Sequence, residues 1–218
     1  MKYGESTFDI IYLLFTVTAG ILILCRRRGR IGKLMGSAAL ILGVGDAFHL
    51  IPRILNYFVD ADFTVWLGIG KLVTSVTMTV FYVLMYRLWI EAYGERENKA
   101  LSDAVYALSA LRVILCALPQ NKWIENESSV IWGIVRNVPF IALGVIIVCL
   151  FFRTRKEIGT FRSVWLLVAL SFLFYIPVAV AAPLLPILGM LMLPKTVCYM
   201  ILIGVFLKYS GQRQISIQ

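Results

Sequence analysis

Charge is scarce in this chain, acidic charge scarcer still, and histidine nearly absent. Only 15% of the 218 residues are charged, 12 are Asp or Glu, and there is a single histidine. One histidine removes any His-rich metal centre. Cys25, Cys116, Cys149 and Cys198 fall inside apolar segments without CxxC spacing. That excludes a disulfide framework and a cysteine zinc site, and the four read as small core residues. With 60% hydrophobic residues beside so little charge, a soluble domain is excluded too. No metal and no cofactor is expected. A retinal Schiff base at Lys195 is disfavoured, because the third apolar segment has no carboxylate to serve as counter-ion.

What the chain has in abundance is apolar sequence. A bilayer core takes about 20 residues per helix, and seven stretches qualify: 8–25, 34–58, 64–90, 101–118, 129–152, 163–182 and 187–208. They leave no room for a second domain, so residues 1–218 form one all-α polytopic unit. Net charge +9 would suggest nucleic acid, but the charge is segregated. Fourteen of the 21 Lys and Arg fall on one side: Arg26, Arg27, Arg28, Arg30, Lys33, Arg87, Arg96, Lys99, Arg153, Arg155, Lys156, Arg162, Lys208 and Arg213. The other side has Lys2 and Lys122 beside Asp60, Asp62, Glu125 and Glu127. The positive-inside rule then puts the N-terminus outside and the C-terminus in the cytoplasm, as an integral protein of the cell membrane. No nucleic-acid partner is expected. Arg26-Arg27-Arg28 makes the first segment an uncleaved anchor rather than a signal peptide. Trp66, Trp123 and Trp132 read as an outer aromatic belt, Trp89 and Trp165 as an inner one.

The second segment carries Gly43-Val44-Gly45-Asp46-Ala47-Phe48-His49-Leu50-Ile51-Pro52-Arg53. Asp46, His49 and Arg53 stand at i, i+3 and i+7, on one helical face. Charge at bilayer depth costs roughly 2.5–3.5 kcal/mol on insertion scales unless it faces protein or water. Asp46 reads as the one acid deep inside an apolar segment, and Gly43 and Gly45 permit close helix approach. The first segment reads as a packing and lipid-facing helix, and Ser102 as the N-cap of the fourth.

The five remaining cations, Arg53, Lys71, Arg112, Arg136 and Lys195, come from five different segments. Counted from the outer helix ends they share one level, roughly 8–12 Å inside. Snorkelling to the interface would account for Arg53 or Arg112 singly. Lys71, Arg136 and Lys195 lie beside polar or proline residues and are harder to excuse. Six of the seven prolines fall at or near outer helix ends, with Pro183 and Pro186 flanking the last turn, and prolines splay a bundle. The expectation is a cationic cup open to the outside, with Asp46 and His49 at its floor. Thr74, Ser75, Asn137, Tyr175 and Tyr199 would line it, although Ser and Thr commonly bond back to their own helix. Such a cup suits phosphate, carboxylate or a lipid headgroup. His49-Leu50-Ile51-Pro52 before Lys71 and Tyr175-Ile176-Pro177 before Lys195 further suggest a parallel repeat of 8–90 and 129–208, a known transporter plan.

Gly45-Asp46-Ala47-Phe48-His49-Leu50-Ile51-Pro52-Arg53 resembles the lysoplasmalogenase-like membrane family, whose members carry a Gly-Asp-Ala-x-x-Leu-x-Pro-Arg type segment. The resemblance implies a small polytopic hydrolase acting on the vinyl ether of lysophospholipids, within a wider group of seven-helix hydrolases that includes the alkaline ceramidases. It makes Asp46 a candidate catalytic carboxylate, with His49 one turn away to share its proton. The family's second intramembrane aspartate has no counterpart in a span after Asp46, and the ceramidase histidine cluster is absent. Three functions follow as expectations. One is hydrolysis of an anionic lysophospholipid, another is carriage of an anionic solute or lipid, and the third is sensing of such a ligand by a seven-helix protein.

Overall fold

In the computed structural model, the described residues are 2–27, 29–94, 98–127, 129–181 and 185–212. Arg28, Arg96, Pro183 and Arg213, which figure in the charge and proline patterns, lie outside them. Seven α-helices follow one another: α1 (Lys2–Arg26), α2 (Arg30–Phe58), α3 (Thr64–Tyr93), α4 (Lys99–Ala117), α5 (Val130–Arg153), α6 (Val164–Ala181) and α7 (Met192–Gly211). Three-residue 3₁₀ turns precede α5 and α6, and a longer one, Pro186–Leu191, precedes α7. All seven spans are long and apolar enough to cross a membrane, the last two counted with their 3₁₀ turns. Lipid offers the backbone no partner, so a chain this apolar is driven to bond within each helix.

Each helix packs on its sequence neighbours, and α7 closes the ring against α1, while α3 also reaches α5. The closest crossing is between α2 and α3, where backbones meet. A Cβ on Gly45 would strike Thr77, and one on Gly70 would strike the Phe48 carbonyl. The end of the bundle carrying residues 59–63 and 118–129 is called the loop end below. Pro52, Pro139 and Pro177 lie inside helices, and α7 includes Pro194 in its first turn.

A layer of aromatic rings crosses the middle of the bundle. Tyr82 meets Phe140 and Phe172 edge-on at 5.1 and 5.5 Å, and Phe81 meets Tyr199 at 5.7 Å. The Tyr82 and Tyr199 hydroxyls bond to each other at 3.0 Å. Edge-to-face pairs add about 0.5–1.5 kcal/mol beyond their buried area.

Several expectations are corrected at this level. α1 begins at Lys2 rather than residue 8, and it is not simply lipid-facing: Ser6, Asp9, Tyr12 and Thr16 are buried. Asp9, 4% exposed, is a buried acid in α1, whereas Asp46 in α2 is half-buried. The residues 187–191 counted in the last helix are 3₁₀, since Pro186 starts that turn. Asn98 caps α4, its side chain accepting from the Leu101 amide, while Ser102 is spent on Tyr86 at 2.7 Å. Trp89 is no belt residue: it is buried and donates to Thr154 Oγ1 at 3.1 Å. Among the cysteines, Cys116 and Cys198 are buried, but Cys25 and Cys149 are exposed.

Candidate functional site

The loop end holds a cavity of about 610 Å³, within the range of small-molecule sites. Helical register explains who lines it. On α3, Lys71, Thr74, Ser75 and Met78 recur at three and four residues, one stripe down the helix. His49 comes from α2, Arg112 from α4, and Arg136, Asn137 and Phe140 from α5. Tyr175 and Val178 of α6 and Met192 and Lys195 of α7 complete the wall, with Trp123, Asn126 and Glu127 over it. Among the described residues, four cations therefore share one cavity with one carboxylate, Glu127.

Each cation is held differently. Lys71 Nζ donates to Asn126 Oδ1 at 2.7 Å. Arg136 Nη1 donates to Asn121 Oδ1 at 2.8 Å, and its guanidinium lies over the Trp123 ring at 4.5 Å. Both of these acceptors are neutral amide oxygens of the 118–129 segment. Lys195 lies over the rings of Tyr175 and Tyr199 at 4.7 and 5.7 Å. Arg112 is 2% exposed, sits 3.3 Å over the Phe140 ring, and leaves Nε and Nη1 without a hydrogen-bond partner. A buried guanidinium nitrogen without an acceptor is costly, and such a group calls for an explanation by something that binds there.

The polar wall is ordered by its own bonds. Tyr175 OH donates to Asn137 Oδ1 at 2.7 Å, and Asn137 Nδ2 donates to the Gly133 carbonyl. Thr74 Oγ1 donates to the Gly45 carbonyl across the α2–α3 crossing. Ser75 bonds back to Lys71 O on its own helix, as Ser commonly does. His49 Nδ1 is buried without a partner.

The segment above the cavity was missed by helix counting. Asn121 is fully buried and donates through Nδ2 to the Leu115 and Leu118 carbonyls at 2.8 and 2.9 Å. Trp123, expected as a belt residue, is buried, and its Nε1 donates to the Cys116 carbonyl at 2.7 Å. Gly68 lies so close to the Trp123 carbonyl that a Cβ there would collide with it. Signals were present in retrospect: Trp123, Asn126 and Glu127 lie in the longest loop-end connection, and Trp123 is its one aromatic residue.

Three of the twelve expected site residues do not line the cavity. Arg53 shares the level of the other cations but turns toward α1, where Nη2 donates to Glu5 Oε1 at 3.0 Å and lies 3.5 Å from Asp9 Oδ2. Tyr199 lies under the cavity, bonded to Tyr82. Asp46 stands behind the wall, its Oδ2 accepting from Tyr12 OH at 2.6 Å. Lys195 is the cation whose charge acts on Asp46, though the two are not in ion-pair contact. No family model, no curated protein and no solved structure matches the chain. The function is therefore argued from the site itself.

Proposed function

We propose that this membrane protein binds an anionic amphiphile in the loop-end cavity. The positive-inside pattern orients that cavity to the outside. Arg112 carries the reading: a buried cation with two unpartnered nitrogens, facing a cavity that three further cations share. The negative headgroup sits among Lys71, Arg112, Arg136 and Lys195. The apolar part of the ligand runs along Met78, Phe140, Val178 and Met192, which are among the apolar residues of the lining. A phosphate or carboxylate headgroup supplies the acceptors that the Arg112 guanidinium lacks.

A hydrolase is the second reading, suggested by the nine-residue resemblance around Asp46. The carboxylate stands behind the cavity wall and already accepts from Tyr12, so binding has more geometric support than turnover. Carriage across the membrane uses the same cavity.

The test is retention of lipid on purified protein, read by mass spectrometry after incubation with a total lipid extract containing lysoplasmalogens. Wild type is expected to retain an anionic lipid, and Lys195→Gln and Lys71→Gln are each expected to retain at least tenfold less, the loss of one charge-assisted contact. Equal retention by both variants sinks the cavity. Appearance of an aldehyde with wild type but not Asp46→Asn would establish the hydrolase.

A further inference from the structure

A second polar feature runs beside the cavity, along the seam of α1 and α2. On α1, Glu5, Asp9, Tyr12 and Thr16 recur at four, three and four residues, one continuous stripe. On α2, Tyr57, Arg53 and Asp46 answer them. Glu5, partly open at the loop end, accepts from Arg53 and from Tyr57 OH. Asp9 lies about 6 Å further along, and Tyr12, bonded to Asp46, about 4.5 Å beyond that. Three carboxylates thus descend one seam, ending at the one acted on by the cavity's Lys195.

Ordinary helix-to-helix hydrogen bonding explains paired groups. It leaves unexplained that Thr16 Oγ1 and Arg53 Nε, both in this seam, are buried without a hydrogen-bond partner, and that Asp9 Oδ2 has only the Arg53 guanidinium, at 3.5 Å. Clustered orphan polar atoms are where buried water collects. A line of ionisable side chains and water at bilayer depth is the physical form of a proton path.

Asp46 is surrounded accordingly. From α1 it faces Tyr12 and Asp9, and from α7 Lys195 and Tyr199. On its own helix His49 stands one turn away, with Lys71 of α3 acting on that imidazole. Lys195 lies between two claims: Asp46 behind the wall and the cavity in front.

Resting on the binding reading above, we propose that Asp46 is the proton acceptor through which the cavity takes up its anion together with a proton. An ionised Asp46 holds Lys195 electrostatically and competes with the ligand for it. One proton, passed from solvent through Glu5 and Asp9, converts the Asp46 carboxylate to the neutral acid. Lys195 keeps its own proton and its full charge becomes available to the anion. The complex gains one negative and one positive charge, so the low-dielectric interior carries no net change.

The experiment uses the full chain in detergent micelles and lysophosphatidylglycerol, whose phosphodiester charge does not change over the range examined. Affinity is measured calorimetrically at about pH 5 and about pH 8, in pairs of buffers with different ionisation enthalpies. Wild type is expected to bind roughly tenfold more weakly at the higher pH, a typical coupling between two sites, and to take up protons on binding there. Asp46→Asn is expected to bind tightly at both, with no uptake from this source, and Asp46→Glu to restore the dependence. Protonation of His49 would tighten binding in the same direction, and Asp46→Asn separates the two. If Asp46→Asn keeps the wild-type dependence, the proposal is overturned and the cavity reading stands. Wild-type binding without proton uptake at the higher pH overturns it equally. Absence of binding by wild type at either pH overturns the cavity reading, and this one with it.

Discussion

Arg112→Met is expected to make the protein more stable and unable to bind its anion. A buried charge lacking full compensation is a liability that an apolar side chain of similar volume removes. Replacing buried ionic groups with well-packed apolar ones is often neutral or stabilising by about 1–4 kcal/mol. Here the compensation is thin: Nε and Nη1 have no partner, the Cys116 side chain gives a weak bond, and the Phe140 face lies 3.3 Å away. That ring contact contributes about 2 kcal/mol or more in a dry setting. It does not satisfy the N–H groups. Thermal unfolding in detergent is expected to shift upward, while retention of anionic lipid falls at least a hundredfold, since a charge-assisted headgroup contact and the ligand's counter-charge are lost together. A destabilised Arg112→Met with normal lipid retention would show that the guanidinium is structural, held by its ring contact alone.

The second large effect is on the fold. Gly70→Ala adds one methyl group where α3 crosses α2, and it meets main chain rather than a side chain that can rotate. The new Cβ would collide with the Phe48 carbonyl and stand 2.7 Å from His49 Cα. The two helices must part, at an expected cost of about 3 kcal/mol, the upper end for overpacking. His49 and Lys71 flank this crossing and both line the cavity, so binding is expected to weaken with stability. Gly204→Ala is the control, because nothing lies within 4 Å of its added Cβ. Within α7 that change is expected to stabilise by about 0.5–1 kcal/mol through helix propensity alone. Comparable unfolding temperatures for the two variants would refute the crossing argument.

These two positions show what sequence reading can and cannot reach. The seven helices were legible because lipid leaves an apolar backbone no alternative, and so was the level of the cations, because rise per residue is fixed. Direction around the helix was not. Arg53 sits at the same level as Lys71 and Arg112, yet a partner on α1, Glu5, draws it away from the cavity. The burial of Asp9 was not legible, since nothing in the first segment reveals that Arg53 of a different helix will pack against it. Gly43 and Gly45 were read as crossing points, and both are close to a neighbour: a Cβ on Gly43 would stand 3.1 Å from Thr16, and one on Gly45 would strike Thr77. Gly70 belongs to the same crossing, and nothing in the sequence of the third segment marks it as such. Trp89 and Trp123 were assigned by residue type to interfaces, where tertiary hydrogen bonds to Thr154 and to the Cys116 carbonyl take them inside. Register along one helix is local information. Which face meets which neighbour is decided by the other six helices.

The ring layer under the cavity has an electrical consequence. A transmembrane voltage drops mainly where polar groups and water are missing, and here that region begins at Tyr82, Phe140, Phe172 and Tyr199. The cavity above them, lined by four cations, stays near the potential of the side it opens to. Moving one elementary charge through a full 100 mV is worth about 2.3 kcal/mol. An anion settling against Arg112 crosses little of that drop, whereas one passing between the rings would cross most of it. On the proposed reading, capture of the anion is expected to be insensitive to voltage and onward passage steeply sensitive, with the rings acting as the dielectric of a capacitor whose upper plate is the cavity floor.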